Sequence, residues 1–416
     1  MASITAAQLR DAISSEAPAA IDFLVDLVGA ASLRGHETPA QELLGAQLEE
    51  LGFEVRHLEV PESIVEDPLA GVPAMPYAGR FDVLGTTPPD GGPTLLLNGH
   101  IDVVPVNFST WSSDPFVPIV RDGWLYGRGA GDMKGGLAMA VLSLRALQRL
   151  GVAPRHNVSF LSVIEEECTG NGTLAALREG VRADAVVLPE PTNLNILLGG
   201  VAITWVTINI RFGGGHAESS DRLASPAQAL GRLIDALGRL EATYNTDPPV
   251  PFDSLARPYN INVGRIELGE WPSSVPAFAE VVVRVGHVDS LSDEQVCADV
   301  AAVVAEVLEA AGSPPFDVVP SGFRAQGYYL SAEHELVRRV ADAHEFANGM
   351  KPDAEVLGST TDARYYVNQL DLPALCFGPV VRNMHGSDEC VELASIERGA
   401  ATLAKFLLDY LGLEST

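Results

Sequence analysis

Five residues far apart in the chain have side chains that bind divalent metals: His100, Asp132, Glu167, Glu190 and His385. Each stands where an apolar run or a glycine-rich loop ends. Leu95-Leu96-Leu97-Asn98-Gly99-His100-Ile101-Asp102 delivers a histidine and a carboxylate. Val163-Ile164-Glu165-Glu166-Glu167 ends in three carboxylates, and Val187-Leu188-Pro189-Glu190-Pro191-Thr192 ends in one. Gly127-Arg128-Gly129-Ala130-Gly131-Asp132 closes a glycine-rich loop just before a helix from about Lys134, and Leu375-Cys376-Phe377-Gly378 leads by a short loop to His385. Taken singly, Asp132 reads as a helix N-cap and the run 165–167 as a solvated strand end. Taken jointly, they converge if the strands are neighbours, because sites in open α/β sheets lie beyond the carboxyl ends of the strands. Carboxylates sharing one pocket raise each other's pKa, so the pocket calls for cations. Three carboxylates and two neutral imidazoles set against two Zn²⁺ leave about one positive charge, suited to holding a hydroxide at neutral pH. Mixed nitrogen and oxygen ligands fit Zn²⁺, with Co²⁺ or Mn²⁺ as substitutes. The remaining histidines (His36, His57, His156, His287, His334, His344) lack such a setting and read as structural or surface groups.

The elements that must position these residues announce themselves. Apolar runs at 94–98, 158–164, 185–188 and 372–377 predict buried strands. Strands that are apolar throughout and alternate with helices predict a mostly parallel sheet sandwiched by helices. Thr38-Pro39-Ala40-Gln41 reads as a capping box closed by Gly52. Ser225-Pro226-Ala227-Gln228 repeats the device before a helix to about Tyr244, and Ser292-Asp293-Glu294-Gln295 opens one ended by Gly312. The start of the chain, with Leu9, Ile13, Ile21, Leu24, Val25 and Val28 on one face, predicts an amphipathic helix. Residues 59–93, rich in Pro and Gly, read as a long irregular connection. The middle differs. From 203 to 212, apolar and polar residues alternate, as in a half-exposed strand. Helix 225–244, strands near 259–266 and 278–286, helix 292–311 and a strand near 315–319 complete the ferredoxin-like order. An inserted α+β domain is expected at 201–318, between catalytic segments 1–200 and 319–416.

Composition sets outer bounds. Lys and Arg total 27 against 55 Asp and Glu, a formal charge of −28 over 416 residues. Such a field repels phosphate backbones and anionic membranes, so neither nucleic acid nor membrane is an expected partner. It is also the ordinary signature of a solvated acidic surface. No uncharged apolar stretch approaches the ~20 residues that span a bilayer. The scattered Cys168, Cys297, Cys376 and Cys390 read as reduced thiols, and a cytoplasmic location is expected.

These motifs, in this order, resemble the di-zinc amidohydrolase and exopeptidase family that includes acetylornithine deacetylase, succinyl-diaminopimelate desuccinylase, aminoacylase and a glutamate carboxypeptidase. The likeness runs from about residue 20 to the C-terminus. It implies that Asp132 bridges two zincs, with His100 and Glu190 on one metal and Glu167 and His385 on the other. It implies Asp102 as the carboxylate that orients His100, and Glu166 as general base. His216, in Gly213-Gly214-Gly215-His216-Ala217, resembles the inserted-domain histidine that reaches a partner subunit's site, which implies a homodimer through that domain. Arg284, Asn262 and the loop holding Gly358, Thr360 and Thr361 resemble substrate-binding positions. The chain departs from the family at Glu165, His287 and the stretch after Asn262-Val263-Gly264, which touches substrate choice. The expected activity is hydrolysis of a small-molecule N-acyl, acetyl-like, amino acid or related amine. Dipeptidase or carboxypeptidase action, or deformylation or decarbamoylation with the same metals, stays open. One physical difficulty accompanies the resemblance: adjacent residues of a straight strand face opposite ways, so Glu166 and Glu167 share a site only if the chain bends, as Thr169-Gly170-Asn171-Gly172 allows.

Overall fold

Leu95–His100 is buried at every position, which requires cover on both faces of its sheet because successive side chains point to opposite sides. The computed structural model, which describes residues 4–88, 91–220 and 225–415, places this strand inside a nine-stranded sheet. The order is Glu54–Glu59, Phe81–Thr86, Val158–Val163, Leu95–His100, Ala185–Leu188, Ala374–Cys376, Ile196–Gly200 and Tyr328–Tyr329, with Ala354–Leu357 also pairing with Ile196–Gly200. The sheet is mixed. Its central neighbours, from Val158–Val163 to Ala374–Cys376, run parallel, while Phe81–Thr86, Glu54–Glu59 and Tyr328–Tyr329 pair antiparallel toward the edges. The parallel centre puts the carboxyl ends of four strands on one rim. Helices Ala6–Gly29, Gly135–Arg149, Glu335–Asn348 and Leu393–Leu411 pack on one another and share one apolar core with the sheet. No helix among the described residues is long and apolar enough to cross a membrane.

Two local expectations fail for physical reasons. Phe81–Thr86 lies inside the supposed irregular connection 59–93, yet pairs on both sides. Its buried Asp82 and Gly85 disguise it; a Cβ on Gly85 would come within 3.0 Å of Leu48. Thr38 does not cap its helix, whose N-cap is Glu37 without a side-chain cap bond. The Glu37 carboxylate is instead committed to Arg80. The first helix opens at Ala6 with a capping box between Thr5 and Gln8 that sequence reading overlooked.

A second, four-stranded antiparallel sheet has the order Ile261–Leu268, Phe278–His287, Ala202–Arg211, Phe316–Ala325. Numbering these strands along the chain gives 2-3-1-4, with helices Pro226–Tyr244 and Asp293–Glu309 in the two crossovers. Ser225 and Ser292 cap those helices by accepting from the backbone N–H of Gln228 and Gln295. Val206, Ile208 and Ile210 point into a separate apolar cluster with Leu233, Val283 and Val300.

Candidate metal centre

Each of the five candidate ligands sits on a rim formed by backbone the sequence dictates. His100 ends the buried strand Leu95–His100. Glu190 follows Ala185–Leu188 after one proline. After Val158–Val163 the chain turns sharply: Glu165 has φ +61°, and its carbonyl accepts from the N–H of Thr169 and Gly170. That turn removes the alternation problem, and both Glu166 and Glu167 line one cavity. Asp132 comes from the loop before helix Gly135–Arg149, and His385 from the loop beyond Ala374–Cys376 with φ +60°.

The five side chains meet. His100 Nε2 lies 3.1 Å from Asp132 Oδ1 and 4.0 Å from Glu190 Oε2. His385 Nε2 lies 3.2 Å from Asp132 Oδ2 and 3.0 Å from Glu167 Oε2. Asp132 thus offers one oxygen to each histidine, and two ligand groups share it: His100, Asp132, Glu190 and Asp132, Glu167, His385. The electrostatics are those of crowded carboxylates. Burial, with Asp132 and Glu167 nearby, outweighs His100 and pushes Glu190 up to about 8. Burial also raises Glu166 well above the carboxylate range. Asp132 stays well below that range despite its burial, because His100 and His385 both bond it. The Glu167 charge beside His385 lifts the imidazole to about 11. Glu167 Oε1 is buried without a hydrogen-bond partner. Two imidazoles and three carboxylates, one of them with an orphaned oxygen, form a donor set that fits two divalent cations.

The profile of peptidase family M20/M25/M40 matches residues 96–409, a span that contains all five candidate ligands. The chain belongs to this family. A succinyl-diaminopimelate desuccinylase of Methylobacterium radiotolerans is 30% identical over 405 residues, covering 94% of this chain and 97% of that protein. Among solved structures, the di-peptidase Dug1p of Saccharomyces cerevisiae aligns with a TM-score of 0.80 at 16% identity, covering 97% of this chain and 98% of that one. Human carnosine dipeptidase 1 aligns with a TM-score of 0.79 at 17% identity, covering 97% and 99%. The M20 chain is therefore a hydrolase of amide bonds.

Behind the candidate ligands of this M20 protein lies a frame of buried polar groups. His100 Nδ1 is 2.9 Å from the backbone carbonyl of Asp102, whereas the Asp102 carboxylate is 3.7 Å away. A carbonyl only accepts, so Nδ1 carries the proton and Nε2 is left for a metal. The Asp102 carboxylate has a different occupation: its two oxygens accept from the N–H groups of Glu166 and Glu167, each at 3.2 Å. It holds the bend that presents both glutamates. Glu389, overlooked in the sequence, performs the same service for Asp132. Its carboxylate accepts from the N–H of Gly131 at 2.8 Å, Asp132 at 2.9 Å and Gly129 at 3.1 Å, and pairs with Arg128. Arg128 in turn donates to the carbonyls of His385 and Gly386. Glu165 is fully buried and accepts from Arg80, Tyr77 and Thr169. The only sequence signals were Glu389 lying shortly after His385 and a carboxylate at Glu165.

The substrate-binding candidates divide. Arg284, Thr360 and Thr361 line the same cavity, of about 260 Å³, as Glu166. The Arg284 guanidinium donates to the Gly358 carbonyl and Ser359 Oγ and bonds Asn260. Burial lowers it to about 10, and no carboxylate pairs with it among the described residues. Asn262, its cross-strand neighbour, is exposed and is not brought to the cavity. His216 is exposed too, outside the cavity of its own chain, with Nδ1 accepting from Glu218 N–H.

Proposed function

We propose that this M20 protein is a di-zinc amidohydrolase that releases a short, acetyl-like acyl group from the nitrogen of an amino acid or related amine. The observation that carries the reading is the shared Asp132 with the Glu166 carboxyl and an Arg284 guanidinium that has no carboxylate partner among the described residues, all in one cavity. His100, Asp132 and Glu190 would hold one cation, and Asp132, Glu167 and His385 the other. Bound there, the cations would polarise the amide carbonyl and lower the pKa of water. The rest falls to the chain. Glu166 takes a proton from the attacking water and delivers it to the amide nitrogen, so that the C–N bond breaks and carboxylate and amine leave. Arg284 attracts a substrate carboxylate by its charge and by the N–H groups that its bonds to Asn260, Gly358 and Ser359 leave open.

The reading extends to architecture. Segment 201–318, with its own apolar cluster and ferredoxin-like order, serves as an inserted lid and dimerisation domain between catalytic segments 1–200 and 319–416, its last strand running on to Ala325. The partner subunit's His216 would then reach the cavity and stabilise the tetrahedral oxyanion. The test is turnover of the zinc-reconstituted chain on N-acetyl, N-formyl and N-succinyl amino acids beside simple dipeptides. N-acetyl amino acids are expected to give the highest kcat/KM. A preference for dipeptides would replace the deacylase reading with a peptidase one.

A further inference from the structure

Besides the candidate ligands and Glu166, the described residues lining the cavity are apolar groups, the hydroxyls of Thr192, Ser359, Thr360 and Thr361, and one guanidinium, Arg284. Trp205 on Ala202–Arg211 is the cross-strand partner of Arg284 on Phe278–His287, so the two side chains rise side by side from one face. Both line the cavity, with Phe323, Ile203, Leu197 and Leu357. The indole is held in place: it meets Phe323 edge to face, with centroids 5.3 Å apart and planes at 80°. Beneath it lies Gly322, at φ +57°, where a Cβ would come within 2.3 Å of the Trp205 ring. Among the described residues that line the cavity, Arg284 is the only lysine or arginine. The nearby Arg364 is buried behind Phe323, and its charge is spent on Asp362 at 3.2 Å.

From this wall we infer that the substrate carries a single carboxylate, held by Arg284, and an apolar, ring-sized group that lies against Trp205 and Phe323. A second carboxylate, such as that of a succinyl group, finds no second guanidinium or ammonium among the described lining residues, only hydroxyls and the indole N–H beside aromatic carbon, a poor exchange for its hydration. The inference rests on the proposed amide hydrolysis and narrows it to N-acyl amides of apolar amino acids. It separates this chain from relatives that act on succinyl-diaminopimelate.

Steady-state kinetics of the zinc-loaded full chain on N-acetyl-phenylalanine, N-acetyl-leucine, N-acetylglycine, N-acetyl-aspartate and N-succinyl-diaminopimelate tests it. The apolar substrates are expected to exceed the dicarboxylic ones in kcat/KM by at least about tenfold, the scale at which pocket contacts discriminate. Trp205→Ala should lower the ratio of N-acetyl-phenylalanine to N-acetylglycine by about tenfold, through KM more than kcat. Trp205→Phe should recover much of that ratio. N-succinyl-diaminopimelate or N-acetyl-aspartate as the best substrate would overturn the inference, and so would an equal loss on every substrate in Trp205→Ala. If no amide in the panel turns over, the proposed reaction fails and the wall is judged by binding alone. Calorimetric titration should then show 3-phenylpropanoate binding more tightly than succinate, with that preference gone in Trp205→Ala. Equal binding would refute it.

Discussion

Glu166 and Glu167 are chain neighbours with opposite duties in the proposed reaction, and the difference is made by what surrounds each carboxylate. Glu167 faces His385 at 3.0 Å within a ligand group. Glu166 belongs to neither ligand group, is buried at 8% exposure and lines the cavity, and burial favours its protonated form. A carboxyl that is reluctant to ionise and not used for coordination is suited to accept and return a proton. Glu166→Gln should therefore leave two metal ions per chain by atomic emission while kcat falls by about 10²–10⁴, the usual weight of a general base. Loss of metal together with activity would instead make Glu166 a ligand. Asp102 teaches the same lesson in reverse. The family resemblance implied a carboxylate orienting the His100 imidazole, but here the Asp102 carbonyl bonds the ring and the carboxylate ties down the 166–167 bend.

At the scale of elements, the metal centre is held by contacts between loops that are distant in sequence. Arg128 and Glu389 bind the Asp132 loop to the His385 loop, so each histidine faces its own oxygen of Asp132. Glu389→Gln removes the charge that secures this clamp and leaves Arg128 buried without its partner. A divalent ion held by the proposed ligands Asp132, Glu167 and His385 should bind about 10–100-fold more weakly in a chelator competition, the usual cost of losing a group behind a ligand. Unchanged affinity with a lowered Tm would reduce the pair to a structural role. Asp82 makes a different prediction. Burial first, then the Asp362 and Asp102 charges, hold its carboxyl well above the usual range, against one hydrogen bond from Ile164 N–H and the Arg80 charge. The folded chain keeps this proton over a range in which the unfolded chain has lost it, so stability falls as pH rises from about 4 toward the folded value. Asp82→Asn should raise Tm at pH 8 more than at pH 5; an equal effect at both would disprove the linkage. These cases show what could be read in advance. The Ser225 and Ser292 caps were legible because a cap bond spans three residues, and the strands ending at His100 and before Glu190 were legible because parallel central strands are apolar on both faces. The strand Phe81–Thr86, the failed cap at Thr38 and the role of Glu389 were not, since each depends on partners remote in the chain: Val158–Val163, Arg80 and Gly131.

On the scale of the whole molecule, the question is whether one chain holds a complete site. The cavity gathers candidate metal ligands, Glu166 and Arg284, but His216 stands outside it, with its side chain 71% exposed. Its strand partner is Ser274, and Trp271, whose carbonyl bonds Ser274 N–H, is itself 69% exposed. An exposed histidine beside an exposed tryptophan is a poor arrangement for an isolated chain and a good one for a surface that a second copy covers. The formal charge of −28 opposes association of like copies, so added salt should strengthen the proposed dimer by screening it. Catalysis can decide whether His216 acts across that interface. Glu166→Ala and His216→Ala should each be nearly inactive alone. In a mixed dimer, the His216→Ala chain keeps its own Glu166 and receives an intact His216 from the Glu166→Ala chain, so one of the two sites is whole. Co-refolding or subunit exchange of the two variants should restore roughly a quarter of wild-type activity, since random pairing makes half the dimers mixed. A histidine that served its own chain would leave both sites of the mixed dimer defective, and the mixture would stay as inactive as its parts.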